Sequence, residues 1–170
     1  MMDENLINNN TKDKLGFNGL IKSVLYGILA AFIFMMLFSI ATVQGQSMEP
    51  TLYDGDRLLV YKYYNLDYED IVVALSKSHK DTYYLVKRVI GMPGDTIEYL
   101  DNNLYRNGIL IDEYYLPSDA YTDNIKITLK DNEYFLCGDN RNNSLDSRSN
   151  TEGPFTENQI KGKIVIGLRF

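Results

Sequence analysis

Two residues of this 170-residue chain could do chemistry together if the fold brings them close. Ser47 lies in GQSMEPTL, residues 45–52, four residues past the end of a long apolar run. A serine hydroxyl becomes a useful nucleophile only beside a group that takes its proton. The single histidine, His79, argues against a His-based triad and excludes a histidine-clustered zinc site, while the single cysteine, Cys137, excludes an internal disulfide and a cysteine-rich metal site. A different base is needed.

Lys87 is a candidate because of its neighbours. In YYLVKRVI, residues 83–90, strand alternation places Leu85, Lys87 and Val89 on one face and Val86, Arg88 and Ile90 on the other. A lysine between apolar neighbours can belong to an edge strand and extend to water, or it can be held in a dry site where burial disfavours the ammonium. The second case has chemical value. A free lysine, with a pKa of about 10.4, is neutral in only about one molecule in 2,500 at pH 7. Lowering that pKa by about three units costs the fold about 4 kcal/mol at neutral pH, and catalysis is the usual reason such a cost persists.

A third stretch, GDNRNNSLDSR at residues 138–148, follows an apolar strand and is dense in charged and amide side chains. It is either a polar surface loop or a brace for a site. Asp146 and Arg148 are spaced to pair, Arg88 could join them, and Ser144 and Ser147 could hydrogen-bond an amine.

These residues must be positioned by a membrane segment and a β domain. Residues 24–43, VLYGILAAFIFMMLFSIATV, carry no charge and as a helix would span roughly 30 Å at about 1.5 Å per residue, enough for a bilayer core. A cleavable signal peptide has a shorter apolar region and a small-x-small site, which TVQGQS does not offer. Lys12, Lys14 and Lys22 precede the run and the first basic residue after it is Arg57. That bias predicts a cytoplasmic tail over 1–20, an anchor over 21–43 and an extracytoplasmic domain over 44–170, although Asp3, Glu4 and Asp13 dilute it.

After residue 45 the pattern is one of short strands, expected at 57–62, 71–75, 83–90, 96–99, 103–106, 109–112, 125–129, 134–137 and 163–168. Asn107-Gly108 is a two-residue hairpin signal. The expectation is a mostly β, antiparallel domain with an elaboration over about 96–130. Net charge is −6, with 17 basic and 23 acidic residues and no basic cluster, which argues against a nucleic-acid partner.

The three stretches together, in order and spacing, resemble type I signal peptidases, the Ser–Lys proteases that remove signal peptides from exported preproteins. SMEPTL (47–52) is similar to the nucleophile box, VKRVIGMPGD (86–95) to the lysine box and GDNRNNSLDSR to the third. The resemblance implies a β catalytic core with a smaller β-hairpin extension, held at the outer face of the plasma membrane near the export channel, with no cofactor and no metal. Ser47 is then the nucleophile and Lys87 the general base. Ser144 would orient the amine, Arg88, Asp139, Asp146 and Arg148 would form supporting ion pairs, and the Ser47 backbone N–H would serve the oxyanion hole. Gram-negative members place a serine with a second oxyanion donor two positions before the nucleophile; here Gly45 stands there, as in the Gram-positive pattern. Asn142 replaces a common aspartate, and Cys137 an aliphatic residue. Pockets admitting Ala-like side chains at the first and third positions before the cut would be lined by Val43, Met48, Leu52, Leu85 and Val86.

Three other readings compete. A self-cleaving repressor of the SOS type would need a DNA-binding segment. A eukaryotic or archaeal-type signal peptidase would carry histidine where VKRVI has lysine. A non-enzymatic, membrane-tethered β interaction module would leave Lys87 without a reason.

Overall fold

The computed structural model describes residues 4–78 and 83–168, so His79 lies outside the described residues. The chain divides into a helical unit ending at Leu37 and a β unit beginning at Phe38. Helix α1 (Glu4–Leu37) contains one stretch, Gly19–Leu37, with mean hydropathy 2.2, long and apolar enough to cross a membrane. Its large side chains, Leu25 and Phe32 among them, are exposed, an arrangement that suits a lipid environment rather than water.

The helix does not continue to residue 43. Phe38–Thr42 forms β1, paired antiparallel with β2 (Arg57–Tyr61) from Phe38↔Tyr61 to Thr42↔Arg57. Apolarity fits a helix and a strand equally well, and the β-branched Ile40 and Thr42 favour the strand once a partner edge is available.

The remaining strands are β3 (Ile71–Leu75), β4 (Tyr84–Gly91), β5 (Thr96–Leu100), β6 (Asn103–Arg106), β7 (Ile109–Ile111), β8 (Ile125–Thr128), β9 (Glu133–Cys137), β10 (Phe155–Thr156) and β11 (Ile160–Leu168). They form a seven-stranded sheet ordered β1-β2-β11-β3-β4-β9-β10 and a four-stranded sheet ordered β7-β6-β5-β8, antiparallel throughout. The smaller sheet occupies the expected elaboration. Its tight turn has positive φ at both Asn107 (55°) and Gly108 (79°), the backbone that an Asn-Gly pair adopts at least cost.

Strand β4 is central, hydrogen-bonded to β3 on one side and β9 on the other. An edge-strand lysine extending to water is thereby excluded. Leu85 and Val89, flanking Lys87 on its own face, belong to a cluster with Val72, Leu136 and Phe155. Ile90 joins a second cluster with Ile97, Tyr99, Leu104, Phe135 and Cys137, which fastens the small sheet to β4 and β9. A third cluster, Val43, Met48, Leu52, Leu58, Val60 and Val73, lies under the segment carrying Ser47.

Strand β11 crosses between β2 and β3 with a register shift between Ile160 and Gly162. Gly162 has no room for a side chain, since a Cβ there would lie 2.4 Å from Val60 Cγ1 and 2.7 Å from the Tyr61 carbonyl oxygen. Gly162→Ala is expected to lower stability by about 1–3 kcal/mol through overpacking, read as a reduced urea midpoint in detergent; an unchanged midpoint would mean the bulge absorbs a methyl group.

Candidate active site

Ser47 sits in a tight turn between β1 and β2. Its neighbour Met48 is buried as an anchor, and the Leu52 amide donates to the Met48 carbonyl at 2.9 Å. Gly45, ahead of it, has φ +85°, a left-handed backbone that disfavours any L side chain, and its amide donates to Asp54 Oδ1 at 2.8 Å. The space around a Cβ at Gly45 is open, so the backbone rather than crowding asks for glycine here.

Lys87 reaches this turn from β4. Its Nζ lies 2.7 Å from Ser47 Oγ and donates to the Val86 carbonyl at 3.0 Å, and the residue is 1% exposed. Burial brings its pKa from 10.5 down to about 8, against the opposing pull of the Asp146 and Asp139 carboxylates. The sign follows from linkage. Between pH 8 and 10.5 the unfolded chain holds the lysine proton more tightly, so folding gains stability as pH rises through that window and carries the full penalty below it, about 3 kcal/mol.

The loop after β9 holds the Ser47 turn in place. Asn140 donates from its amide to the Ser47 carbonyl and from Nδ2 to the Gln46 carbonyl, both at 3.1 Å. Gly138 passes so close that a Cβ would lie 2.4 Å from the Ser47 carbonyl oxygen and 2.2 Å from Ser144 Oγ. Asn140 carries no charge and its partners are backbone atoms of a distant segment, so nothing in residue type or spacing singles it out.

The ion pairs divide by face. Asp146 binds Arg148 in a two-pronged pair, Nε to Oδ1 and Nη2 to Oδ2, each 2.9 Å, and also accepts the Gly138 amide at 2.9 Å. Burial alone would raise the Asp146 pKa; the Arg148 pair and the amide outweigh it and hold the carboxyl below its ordinary value. Arg88 does not join this pair. Alternation along β4 sends it to the face opposite Lys87, where Asp139 takes Nε at 2.9 Å and Nη2 at 2.6 Å. Tyr115 stacks 4.0 Å from that guanidinium, and Thr51 donates its hydroxyl to Asp139. A further buried pair, Arg141 with Glu113 at 2.7 Å, ties the loop to the segment after β7.

Two serines depart from expectation. Ser147 Oγ accepts the Leu136 amide at 2.9 Å and so serves β9. Ser144 Oγ is buried against Gly138, beside the Asp146 carboxylate whose pKa it helps to lower, and makes no hydrogen bond to Lys87, whose Nζ is engaged by Ser47 and Val86. A groove of about 650 Å³ runs past the dyad, lined by Val43, Met48, Leu85 and Val86, with Tyr83 and Tyr84 farther along. Leu52 is not part of it; its side chain is 8% exposed and packs beneath the turn with Leu58 and Val60.

Comparison with known proteins gives a consistent set of likenesses. A family model described as signal peptidase, peptidase S26, matches residues 18–168. Signal peptidase I P of Bacillus subtilis subsp. natto is 41% identical over 157 residues, spanning 84% of this chain and 83% of that protein. Signal peptidase IB of Staphylococcus aureus (strain COL) is 35% identical over 173 residues, spanning 84% and 88%. A crystal structure of a signal peptidase I from Enterococcus faecalis V583 aligns with TM-score 0.50 and 28% identity, over 60% of this chain and 98% of that one.

Since Lys87 is buried at a cost and no carboxylate among the described residues bonds its amine, an apolar side chain of similar length fits the space with less penalty. Lys87→Met is expected to melt at the same temperature as the parent or a few degrees higher at pH 7. A drop of several degrees would show that the amine contributes net stability.

Proposed function

The chain belongs to the signal peptidase S26 family of serine peptidases, and from that premise we propose that it removes signal peptides from exported preproteins with Ser47 as nucleophile and Lys87 as general base. The observation that carries this reading is the lysine amine 2.7 Å from Ser47 Oγ in a site dry enough to bring its pKa to about 8. At pH 7 such a lysine is neutral in about one molecule in ten, roughly 250 times more often than a free one.

The chemistry is acyl transfer. Neutral Lys87 takes the Ser47 proton as Oγ attacks the scissile carbonyl, and the Ser47 backbone N–H donates to the tetrahedral oxyanion. The lysine ammonium gives that proton to the departing amine as the C–N bond breaks. Lys87, neutral again, deprotonates a water that attacks the acyl ester; collapse of this second oxyanion frees the new C-terminus, and the lysine proton returns to Ser47. Asn140 and the Asp146–Arg148 pair keep the nucleophile and the loop in register during both steps, and the Arg88–Asp139 pair supports the opposite face of β4. Ser144, on the loop that also carries Asp146, orients the amine once Nζ swings from Ser47.

Substrate choice rests on the groove beside Ser47. Val43, Met48, Leu85 and Val86 leave room for small side chains, which supports cleavage after Ala-x-Ala. The Gly19–Leu37 stretch is the anchor, with the lysine-bearing N-terminus in the cytoplasm and the β unit on the outer side, near the export channel. A binding module without catalysis leaves the dry lysine unexplained.

Incubation of the detergent-solubilised protein with an Ala-x-Ala signal-peptide substrate, with the cut mapped by mass spectrometry, tests the function directly. Ser47→Ala and Lys87→Ala should fold and leave the substrate intact, and an active Lys87→Ala protein would overturn the dyad. The pH dependence of kcat/KM supplies a separate check. Protonated lysine cannot act as base, so the rate should fall about tenfold per unit below pH 8 and level off above it; a profile flat from pH 6 to 9 would point to another base.

A further inference from the structure

One buried carboxylate outside the network around Lys87 is held by an unusual number of donors. Glu152, 2% exposed, precedes β10 and reaches residues 76–78, just past the end of β3. The hydroxyls of Ser76 and Ser78 donate to Oε1, the Lys77 amide donates to Oε2 at 2.8 Å and the Ser78 amide to Oε1 at 3.3 Å. Lys77 Nζ donates to the Pro154 carbonyl and lies 5.7 Å from the Phe155 ring centroid, a second link between the same two segments. Burial alone would raise the Glu152 pKa, but the serine hydroxyls and the two amides outweigh it and hold the carboxyl below its ordinary value. An acid buried this deeply is costly unless every oxygen is engaged, and here both are.

What this clamp holds is the base of the β3–β4 hairpin. The Ser76 amide donates to the Tyr83 carbonyl at 2.9 Å, and Tyr83 with Tyr84, the first residue of β4, lines the same groove as Lys87. Tyr83 lies four positions before Lys87, about 13 Å at about 3.3 Å per residue. An extended peptide with its scissile bond at Ser47 covers that distance with about four residues. Leu85 and Val86, proposed to receive the small side chains before the cut, lie between the two ends, so the tyrosines face substrate farther upstream.

We propose that Glu152 is a positioning residue that sets the Tyr83–Tyr84 wall, and that this wall selects a large apolar side chain about four positions before the cut. The proposal rests on signal-peptide cleavage at Ser47 as read above. Tyrosine rings offer flat apolar area with few rotatable bonds to immobilise, which suits contact with a leucine-like residue and gains little from glycine.

The test uses the full chain in detergent and two peptides sharing one Ala-x-Ala site, with leucines or glycines at the fourth and fifth positions before the cut. The parent should cleave the leucine peptide with a KM about tenfold lower than the glycine peptide. Glu152→Gln should lose most of that preference, with the loss in KM for the leucine peptide and the midpoint of the pH profile unmoved. Tyr84→Ala, which removes one of the two rings of the wall, should lose much of the preference too. Ser78→Ala takes away one donor and should lose part of it, which keeps the idea testable should Glu152→Gln fail to fold. A parent without preference for leucine, or a Glu152→Gln or Ser78→Ala protein that keeps it in full, overturns the inference while leaving the peptidase reading standing. A parent that cuts neither peptide removes that reading, and the inference with it.

Discussion

The site depends on keeping water away from a single amine. As the proposed base, Lys87 is useful only while its ammonium is disfavoured, and that requires a place in the middle of a sheet with apolar neighbours on its own face. Desolvation of this kind is a property of the whole neighbourhood. Leu85 and Val89 cover the strand, Val72 faces the lysine across the β3–β4 ladder, and the turn carrying Ser47 closes over Nζ. The approximately 3 kcal/mol that this costs at neutral pH must be offset elsewhere in the β unit.

The three apolar clusters and the buried ion pairs do different parts of that work. The clusters supply the driving force, and one of them also seats Met48, the residue next to Ser47. Buried ion pairs are seldom a large net source of stability, because desolvation takes back most of the attraction. Their value here is directional. Two-pronged contacts from Arg88 to Asp139 and from Arg148 to Asp146 allow the loop after β9 few orientations, and Asn140 converts that orientation into two hydrogen bonds on the Ser47 segment. Gly138 permits the approach, since any Cβ would collide with the Ser47 carbonyl oxygen.

Much of the fold is legible along the chain because alternation and turn chemistry are local. The bounds of β3 and β6, the Asn107-Gly108 turn and the antiparallel character all follow from residues within a few positions of one another. The exceptions are instructive. Phe38–Thr42 reads as the end of an apolar helix until the β2 edge offers it hydrogen bonds. The two-residue β10 is too short to carry a pattern. Leu52 reads as a groove residue and is a core residue, because the turn at Met48 directs it downward. Arg88 reads as a companion of Asp146, yet the same alternation that buries Lys87 sends it to the other face and to Asp139.

By itself the sequence determined the chemical parts: a serine just past an apolar run, a lysine between apolar strand neighbours, a polar loop rich in acids and amides, and an antiparallel β framework to carry them. Side-chain type, period-two alternation and turn propensity act over a few residues, so they are written in the chain. Only the tertiary structure decided that the lysine is dry, that its amine stands 2.7 Å from Ser47 Oγ, which acid meets which arginine, and that Asn140 and Glu152 hold distant segments in place. Burial and hydrogen-bond geometry are set by groups far apart in sequence, and no local pattern encodes the distance between them.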